Sequence, residues 1–228
     1  MVAQYIFLFF IYSCIGWLIE ILSRILEERK IINRGFLIGP YCPIWGFGVV
    51  LMTIFLQDFV NDPIAFILLA MIVAGILEYI TSYIMEKLFK AKWWDYSKYP
   101  FNLNGRITLQ HLLFFGVAGY ISVAFTNSGY FMLFDRAPQI TLNIIAISLI
   151  VIFMIDIIFS YKIIVNLKKV VGAFKSKDNT EEISKMVREV LLSNKLYLRL
   201  FNSYPNLKSN FLKKKQAITD EIKKVLNQ

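Results

Sequence analysis

The sequence predicts an all-α, polytopic membrane helix bundle of about five transmembrane helices, followed by a basic amphipathic helical C-terminal tail. Of the 228 residues, 57% are hydrophobic and only 18% are charged. The mean hydropathy is +0.56, which leaves too little polar side chain to cover a soluble fold of this length. The apolar residues also lie in five long runs rather than at amphipathic spacing. The pattern therefore favours lipid as the solvent over a soluble helical bundle.

The five apolar runs set the predicted domain organisation. A helix needs about 20 residues to cross a bilayer, and four of the runs meet that length while the second is short. We expect a transmembrane domain over residues 1–164 and a cytoplasmic tail over residues 165–228. The predicted spans are about residues 2–26, 44–57, 64–85, 107–126 and 140–164.

The basic residues predict the orientation in the cell membrane. Nine Lys or Arg residues accompany the connections after the first and third spans, whereas the alternate connections contain only Arg136. Because basic loops stay in the cytoplasm, we expect the N-terminus outside and the C-terminus inside. This arrangement agrees with an odd number of spans, which places the two termini on opposite sides of the membrane.

The C-terminal tail carries nearly all of the net charge. Residues 164–228 contain 14 basic and six acidic side chains, a net charge of +8, against +1 for the rest of the chain. Two amphipathic helices are predicted there, one beginning at Asn179 with Glu182 in a capping box, the other over about residues 207–226. Such helices can lie on anionic lipid headgroups or dock on a partner. We expect no nucleic acid, because no recognised binding motif accompanies the charge.

Ionisable residues inside the apolar spans are the first candidate site residues, because each costs about 2.5–3.5 kcal/mol to insert. Glu20 and Arg24 stand one helical turn apart and can pair. On the third span, Glu78, Ser82 and Glu86 form a column, and on the fifth span Asp156 precedes Ser160 by four residues. All lie toward the predicted cytoplasmic end. They form either a polar binding site or interhelical hydrogen bonds and interface ion pairs.

The connection before the second span is irregular. Residues 33–48 contain four glycines and two prolines in an apolar stretch, among them Gly35, Gly39, Pro40 and Pro43. We expect the two prolines to prevent a regular start of a helix. Such backbone at membrane depth requires burial in protein or a wet cavity, so we predict a dip into the interface before a short span. A tight turn before an ordinary helix is the alternative.

The connection before the fourth span combines aromatic and polar residues. Trp93 and Trp94 are typical of the membrane interface, and a simple anchor would need nothing more. Asp95, Asn104 and Arg106 add directed hydrogen-bonding groups. Together with Arg34, and with Arg24 as a third candidate, Arg106 could grip an anionic headgroup through bidentate contacts.

The motifs of cofactor and metal chemistry are missing from the sequence. Cys14 and Cys42 fit neither a disulfide framework nor a metal motif, and His111 is the single histidine, so we expect no metal and no cofactor. The chain also lacks the Gly-rich Gly-Lys-Ser/Thr loop of P-loop ATPases. Any ATP hydrolysis would need a separate ATPase subunit.

Four sequence blocks resemble a family of bacterial membrane proteins. The blocks are Gly16-Trp17 with Glu20, Asn33–Gly48, Leu77-Glu78-Tyr79 with Glu86–Phe89, and Trp93–Tyr96 through Asn102–Arg106. They resemble the family described as "putative ABC-transporter type IV", or CmpB-like, over about residues 5–160. The resemblance implies a multi-span, permease-like protein of the bacterial inner membrane, and it supplies no catalytic residues.

Three functions remain open at this point. The first is a permease-type transporter component, in which Glu20 and Glu78 bind a cation or proton while Arg34 and Arg106 hold an anionic part of the substrate. The second is a membrane enzyme acting on a lipid or lipid-linked substrate, although no nucleophile–base pair is recognisable. The third is a non-catalytic assembly or regulatory protein that docks through its tail. The candidate protein partners are a separate ATPase subunit and a second copy of the chain.

Overall fold

A computed structural model describes residues 1–28, 37–89, 92 and 94–173 of the chain. The described residues are mostly helical and contain almost no strand. The helices are α1 (Val2–Glu28), α2 (Pro43–Leu56), α3 (Pro63–Phe89), α4 (Leu109–Ile121), α5 (Asn127–Asp135) and α6 (Gln139–Ala173). A 3₁₀ turn, Gln57–Phe59, extends α2, and a π-helical turn, Ser122–Thr126, joins α4 to α5. The strands β1 (Asn102–Leu103) and β2 (Ile107–Thr108) form a short antiparallel hairpin.

Four helical segments are long and apolar enough to cross a membrane. They cover Val2–Ser23, Pro63–Leu88, Leu109–Asp135 and Gln139–Lys162. The apolar helix Pro43–Phe59 is shorter than these four. The prediction of a membrane helix bundle is therefore confirmed, with four segments of spanning length and a fifth, shorter apolar helix among the described residues.

The segment Leu109–Asp135 corresponds to the fourth predicted span and differs from the predicted bounds. It begins at Leu109 rather than Ile107, because Ile107 and Thr108 pair with β1 and the Thr108 side chain caps the helix by accepting from the His111 N–H. It continues past the predicted end at residue 126 to Asp135. Asn127 lies in its interior and is buried, so this polar residue faces neighbouring helices instead of ending the segment.

The segment before α2 also differs from the prediction in one respect. Pro43 is the first residue of α2, although we expected it to prevent a regular helix start. The first helical position tolerates proline because its N–H would have no partner within the helix. Pro40 lies outside the helix, in the bend that precedes it.

Contacts between distant residues define the two ends of the bundle. At one end, Gln4 Nε2 donates to Asp135 Oδ1 at 2.7 Å, which joins the start of α1 to the end of α5. At the other end, the hairpin approaches the last turns of α3, and residues 37–42 approach α6. We call this second end the hairpin end. Every acidic candidate residue of the described helices lies toward it.

Two apolar clusters form the interior. One joins α1, α5 and α6 around Leu8, Phe134 and Ala146. The other joins α2, α3 and the region of the π turn around Met52, Phe66 and Val123. A lipid-facing surface surrounds both, with many exposed large aliphatic side chains, as expected where hydrocarbon rather than water is the solvent.

Glycines allow α1 and α2 to pack closely. A Cβ at Gly46 would collide with the Phe9 carbonyl oxygen and the Ser13 hydroxyl, and a Cβ at Gly16 would collide with the Trp45 side chain. Small residues at helix crossings permit this approach in membranes, where packing rather than hydrophobic exclusion drives association. The predicted tail helices after residue 173 lie outside the described residues, while α6 itself continues past the predicted end at residue 164.

Candidate functional site

The Asp156 carboxylate organises one side of the hairpin end. It is buried on α6. Its Oδ1 accepts hydrogen bonds from the Ile38 N–H at 2.9 Å and the Ser160 hydroxyl at 2.7 Å. Its Oδ2 accepts from the Gly39 N–H at 2.7 Å and the Tyr41 hydroxyl at 2.8 Å. Four donors compensate a buried charge and fix the segment before α2 against α6.

A second group joins α1, the start of α2 and α3. The Cys42 thiol donates to Glu20 Oε1 at 3.1 Å, and the Cys42 N–H donates to the Ser13 carbonyl at 2.8 Å. Glu20 is exposed, whereas Glu78 is 5% exposed. Tyr96 hydrogen-bonds the Glu78 carboxylate, and Glu20 lies close enough for the two acidic groups to interact. Glu78 Oε2 is buried and accepts no hydrogen bond from any described residue.

Arg106, at the end of the hairpin loop, connects the hairpin to α3. Its Nη2 lies 2.6 Å from Glu86 Oε2, and its Nη1 donates to the Ser82 hydroxyl at 3.1 Å. The guanidinium carbon lies 5.6 Å and 5.5 Å from the ring centroids of Tyr79 and Tyr83. Ion pairing and cation–π contact together hold the arginine at a defined place beside α3.

The hairpin has a fixed shape that presents Arg106. The Trp94 indole N–H donates to the Arg106 carbonyl at 2.9 Å, and Asn104 Nδ2 donates to the Tyr79 hydroxyl at 2.9 Å. Gly105 has φ +67°, and a Cβ there would lie 2.6 Å from Asp95 Oδ1. Only glycine fits this left-handed position without a clash.

Three groups in the connections have shifted pKa values. Burial raises the pKa of the Tyr41 hydroxyl, and the neighbouring Asp156 carboxylate raises it further. Burial likewise raises the pKa of the Cys42 thiol, with a further contribution from Glu20. Hydrogen bonding from the Ser97 hydroxyl lowers the pKa of Asp95. The first two groups therefore stay neutral at physiological pH, and Asp95 stays ionised.

The structure brings part of the predicted site together. Glu78, Glu86, Asn104 and Arg106 meet around the hairpin and α3, with Asp95 in the same loop, and Glu20 approaches Glu78 from α1. Gly39 is one of the donors to Asp156. Arg34, Gly35 and the side chain of Arg24 lie outside the described part of the chain.

Sequence reasoning missed several residues of the site. Tyr41 and Cys42 contact Asp156 and Glu20, yet both lie in a glycine- and proline-rich segment that has no periodicity. Tyr79 stands three residues before Ser82 on α3, which is the spacing of helix neighbours, so the Glu78–Ser82–Glu86 column could have included it. The sequence identified Asp156 as a candidate residue. It could not predict that Asp156 accepts hydrogen bonds from backbone N–H groups.

A further polar network lies within the bundle, away from the hairpin end. The Tyr12 hydroxyl donates to Asn127 Oδ1 at 2.8 Å and contacts the Thr126 hydroxyl. Asn127 Nδ2 donates to the Thr53 hydroxyl at 2.7 Å. Three helical segments are therefore linked by buried side-chain hydrogen bonds, which membrane helices use for specific association.

The described residues contain no evident metal-binding site. Within them, no group of three or more His, Cys, Asp or Glu side chains is placed to hold a metal ion. His111 hydrogen-bonds Thr108 and stacks on Tyr96 at 4.4 Å between ring centroids. The arrangement is suited to binding charged groups through carboxylates, a guanidinium and hydroxyls.

Apolar helices of spanning length around a polar end define a multi-span membrane protein. A family model described as "Putative ABC-transporter type IV" matches residues 7–161. The chain belongs to this family. No curated protein and no solved structure matches the chain.

Proposed function

We propose that this protein is the membrane-embedded, permease-type component of a transporter, with its polar site at the hairpin end facing the cytoplasm. In this proposal α2 with its 3₁₀ turn also crosses the membrane, which gives five spans in all. Its length is about 27 Å at the usual rise per residue, close to the roughly 30 Å thickness of the hydrocarbon core. The membership in a transporter-type family and the charge asymmetry between the connections support the proposal.

The observation that carries the proposal is the pairing of an exposed and a buried carboxylate. Glu20 is exposed, Glu78 is buried beside it, and Glu78 Oε2 lacks a hydrogen bond from the described residues. Two neighbouring carboxylates, one of them buried, disfavour double ionisation. Such a pair is suited to take up a proton or a small cation, because either one neutralises the excess charge.

Arg106 provides the complementary charge. In the proposal it holds an anionic part of the substrate, together with Arg34, and exchanges its contact with Glu86 for the substrate. Planar guanidinium groups bind carboxylates and phosphates through paired hydrogen bonds. A site that contains both acidic and basic groups could couple the movement of a cation to that of an anion.

The energy source in this proposal is a separate subunit. The sequence contains no P-loop, so ATP hydrolysis would come from an ATPase that binds at the cytoplasmic side. The basic tail, net +8, would lie on anionic lipid or on that partner. Purification in gentle detergent should recover an ATPase with the full-length chain. If no ATPase is recovered and the purified chain transports alone, the separate-subunit part of the proposal is wrong.

Proton flux tests the carboxylate pair. Full-length protein is reconstituted into liposomes that contain a pH-sensitive dye, and a pH step is applied. Wild-type protein should equilibrate the pH faster than empty liposomes, and Glu78→Gln and Glu20→Gln should each remove most of that rate. Asp58→Asn, an equivalent change at the opposite end of the bundle, is the matched control and should equilibrate like wild type. Full flux in both Gln variants would exclude these roles for Glu20 and Glu78.

Labelling from each side of the membrane tests the orientation. Single cysteines replace Lys98, in the connection that precedes β1, and Asp58, in the 3₁₀ turn. The two cysteines of the natural sequence are changed to serine. A membrane-impermeant maleimide added to intact cells should label the Asp58→Cys protein and spare the Lys98→Cys protein. Labelling of both positions from outside would contradict the five-span arrangement.

A further inference from the structure

An apolar groove runs along the outer surface of α3 and α4 beneath the hairpin. It has a volume of about 660 Å³. Tyr79 is the one residue of its lining with a polar side chain, and the others are aliphatic residues, Met71 and Gly75. The groove is therefore a hydrocarbon surface with a single hydroxyl at the level of the hairpin.

The groove exists because a side chain is missing from α3. Gly75 lies in its wall, and a Cβ added there would approach the Leu112 side chain at 3.3 Å. Beside it stands a row of exposed aliphatic residues spaced four apart, Leu68, Ile72, Ile76 and Ile80. Four-residue spacing places this row on one face of the helix, so the row forms the rim of the groove.

The length of the groove corresponds to one leaflet of a bilayer. From Leu68 to Ile80 the helix rises about 18 Å, and one leaflet of hydrocarbon is about 15 Å thick. An occupant that fits this length and this lining is a single extended hydrocarbon chain.

Basic side chains stand where the groove ends. Tyr83 and Lys87 are exposed on the next two turns of α3, and the Lys87 Nζ lies 5.8 Å from the Tyr83 ring centroid. Arg106 faces the same ring at 5.5 Å. Asn104 donates to the Tyr79 hydroxyl at the same level. Lys87, the Asn104 amide and the Arg106–Glu86 ion pair thus stand above a hydrocarbon groove with a net charge of +1, which is suited to the headgroup of an anionic phospholipid.

We infer that this groove binds one anionic phospholipid, with an acyl chain against Gly75 and Ile76 and the headgroup phosphate against Lys87, beside the Arg106–Glu86 pair. The inference goes beyond the proposed transport function, because it concerns the lipid-facing side of α3 and α4 and holds whether or not the chain transports. A bound lipid of this kind would brace the hairpin that carries Arg106.

Lipid retention by the purified protein tests the inference. Full-length protein is reconstituted in membranes of equal phosphatidylglycerol and phosphatidylethanolamine, extracted in mild detergent, and analysed for bound phospholipid by native mass spectrometry. Wild-type protein should retain about one phosphatidylglycerol per chain. Gly75→Leu should lose it because the new side chain fills the groove, and Ile76→Trp, which changes an exposed residue only, should lose it without a risk to the core. Gly129→Leu is the control, because a Cβ there meets nothing within 4 Å.

Charge variants test the headgroup. Lys87→Gln should lower the preference for phosphatidylglycerol about fivefold, as expected for one basic residue near an anionic headgroup. Lys162→Gln removes an exposed lysine from α6 at the same end of the bundle and should leave the preference unchanged. Equal retention of the two lipids by wild type, or undiminished retention in Ile76→Trp, would overturn the inference. So would a dimer that Ile76→Trp disrupts while lipid retention stays the same, since a second copy would then occupy the groove.

Discussion

The Tyr41 hydroxyl donates a 2.8 Å hydrogen bond to Asp156 Oδ2, across 115 residues of sequence. The same oxygen accepts from the Gly39 N–H, so one atom on α6 fixes both a side chain and the backbone of the segment before α2. That segment also leads to Cys42, which contacts Glu20. A single buried carboxylate therefore sets the position of the connection through which α1, α2 and α6 meet.

We predict that Asp156→Asn destabilises the protein. The asparagine side chain keeps one acceptor oxygen. Its NH₂ group would replace Oδ2 and would face two donors, the Gly39 N–H and the Tyr41 hydroxyl. Hydrogen bonds to charged groups contribute about 1.5–3 kcal/mol each, so the free energy of unfolding should fall by at least that amount. Thermal unfolding in detergent, followed by circular dichroism, measures the loss as a lower Tm. Ser148→Ala is the control, because its exposed hydroxyl bonds only the carbonyl of Ile144 on the same helix. An unchanged Tm in Asp156→Asn would contradict this account of the segment.

The raised pKa of Cys42 predicts slow alkylation. The thiolate is the reactive form of cysteine. In a Cys14→Ser background, the alkylation rate of Cys42 should therefore reach half of its maximum at a higher pH than the rate of a free thiol does. Glu20→Gln removes a neighbouring negative charge, so the pKa should fall and the rate at pH 8 should rise. The rate of maleimide labelling as a function of pH measures both effects. A faster rate with no shift of the pH profile would indicate greater access alone, and the electrostatic explanation would then be wrong. Asp58→Asn should leave the profile unchanged.

Tyr12 and Asn127 should be energetically coupled. Tyr12→Phe and Asn127→Ala each remove the 2.8 Å hydrogen bond between them, so the double variant should lose less stability than the sum of the single variants. Interhelical hydrogen bonds in membranes contribute about 0.6 kcal/mol on average and up to about 1.7 kcal/mol. A double-mutant cycle of unfolding free energies in detergent measures the coupling. Strict additivity of the two losses would show that the bond contributes nothing.

Gly46 and Gly48, two residues apart on α2, should respond differently to alanine. A Cβ at Gly46 would collide with the Phe9 carbonyl oxygen on α1, whereas a Cβ at Gly48 would meet only Leu77 Cδ1 at 3.9 Å. Gly46→Ala should therefore cost about 1–3 kcal/mol through overpacking. Gly48→Ala should be neutral or stabilising by up to about 1 kcal/mol, because alanine favours the helix. Thermal unfolding of the two variants decides the matter, and equal Tm values would contradict the close α1–α2 contact.

The membrane helices could be predicted from composition because lipid imposes a minimum length on each apolar run. The starts of α1, α3 and α6 lie within one residue of those predicted. The end of the segment Leu109–Asp135 could not be found in this way. Asn127 and Gly129 resemble the end of a helix locally, and the partners that keep Asn127 in the bundle, Tyr12 and Thr53, are distant in sequence.

The candidate site was predictable to a smaller extent. The column of Glu78, Ser82 and Glu86 follows from helical spacing alone, and the structure retains it on α3. The contact of Arg106 with Glu86 depends on the hairpin, whose reversal at Gly105 brings residues 20 positions apart together. Two of the four donors to Asp156 are backbone N–H groups, which leave no trace in the identity of a side chain.

The π turn at Ser122–Thr126 changes which neighbour each half of a long helix faces. Gly116 and Phe134 are 18 residues apart, which is about five full turns, so an uninterrupted α-helix would aim both in one direction. The π turn contains about one residue more than an α-helical turn. The helix that follows is therefore rotated by roughly 100° about its axis, relative to an uninterrupted α-helix. As a result, Gly116 meets Ile67 and Met71 of α3, while Phe134 meets Phe7 of α1. Removing a single residue from this turn would swing Asn127 and Phe134 away from α1, so the number of residues there is as important to the assembly as their identity.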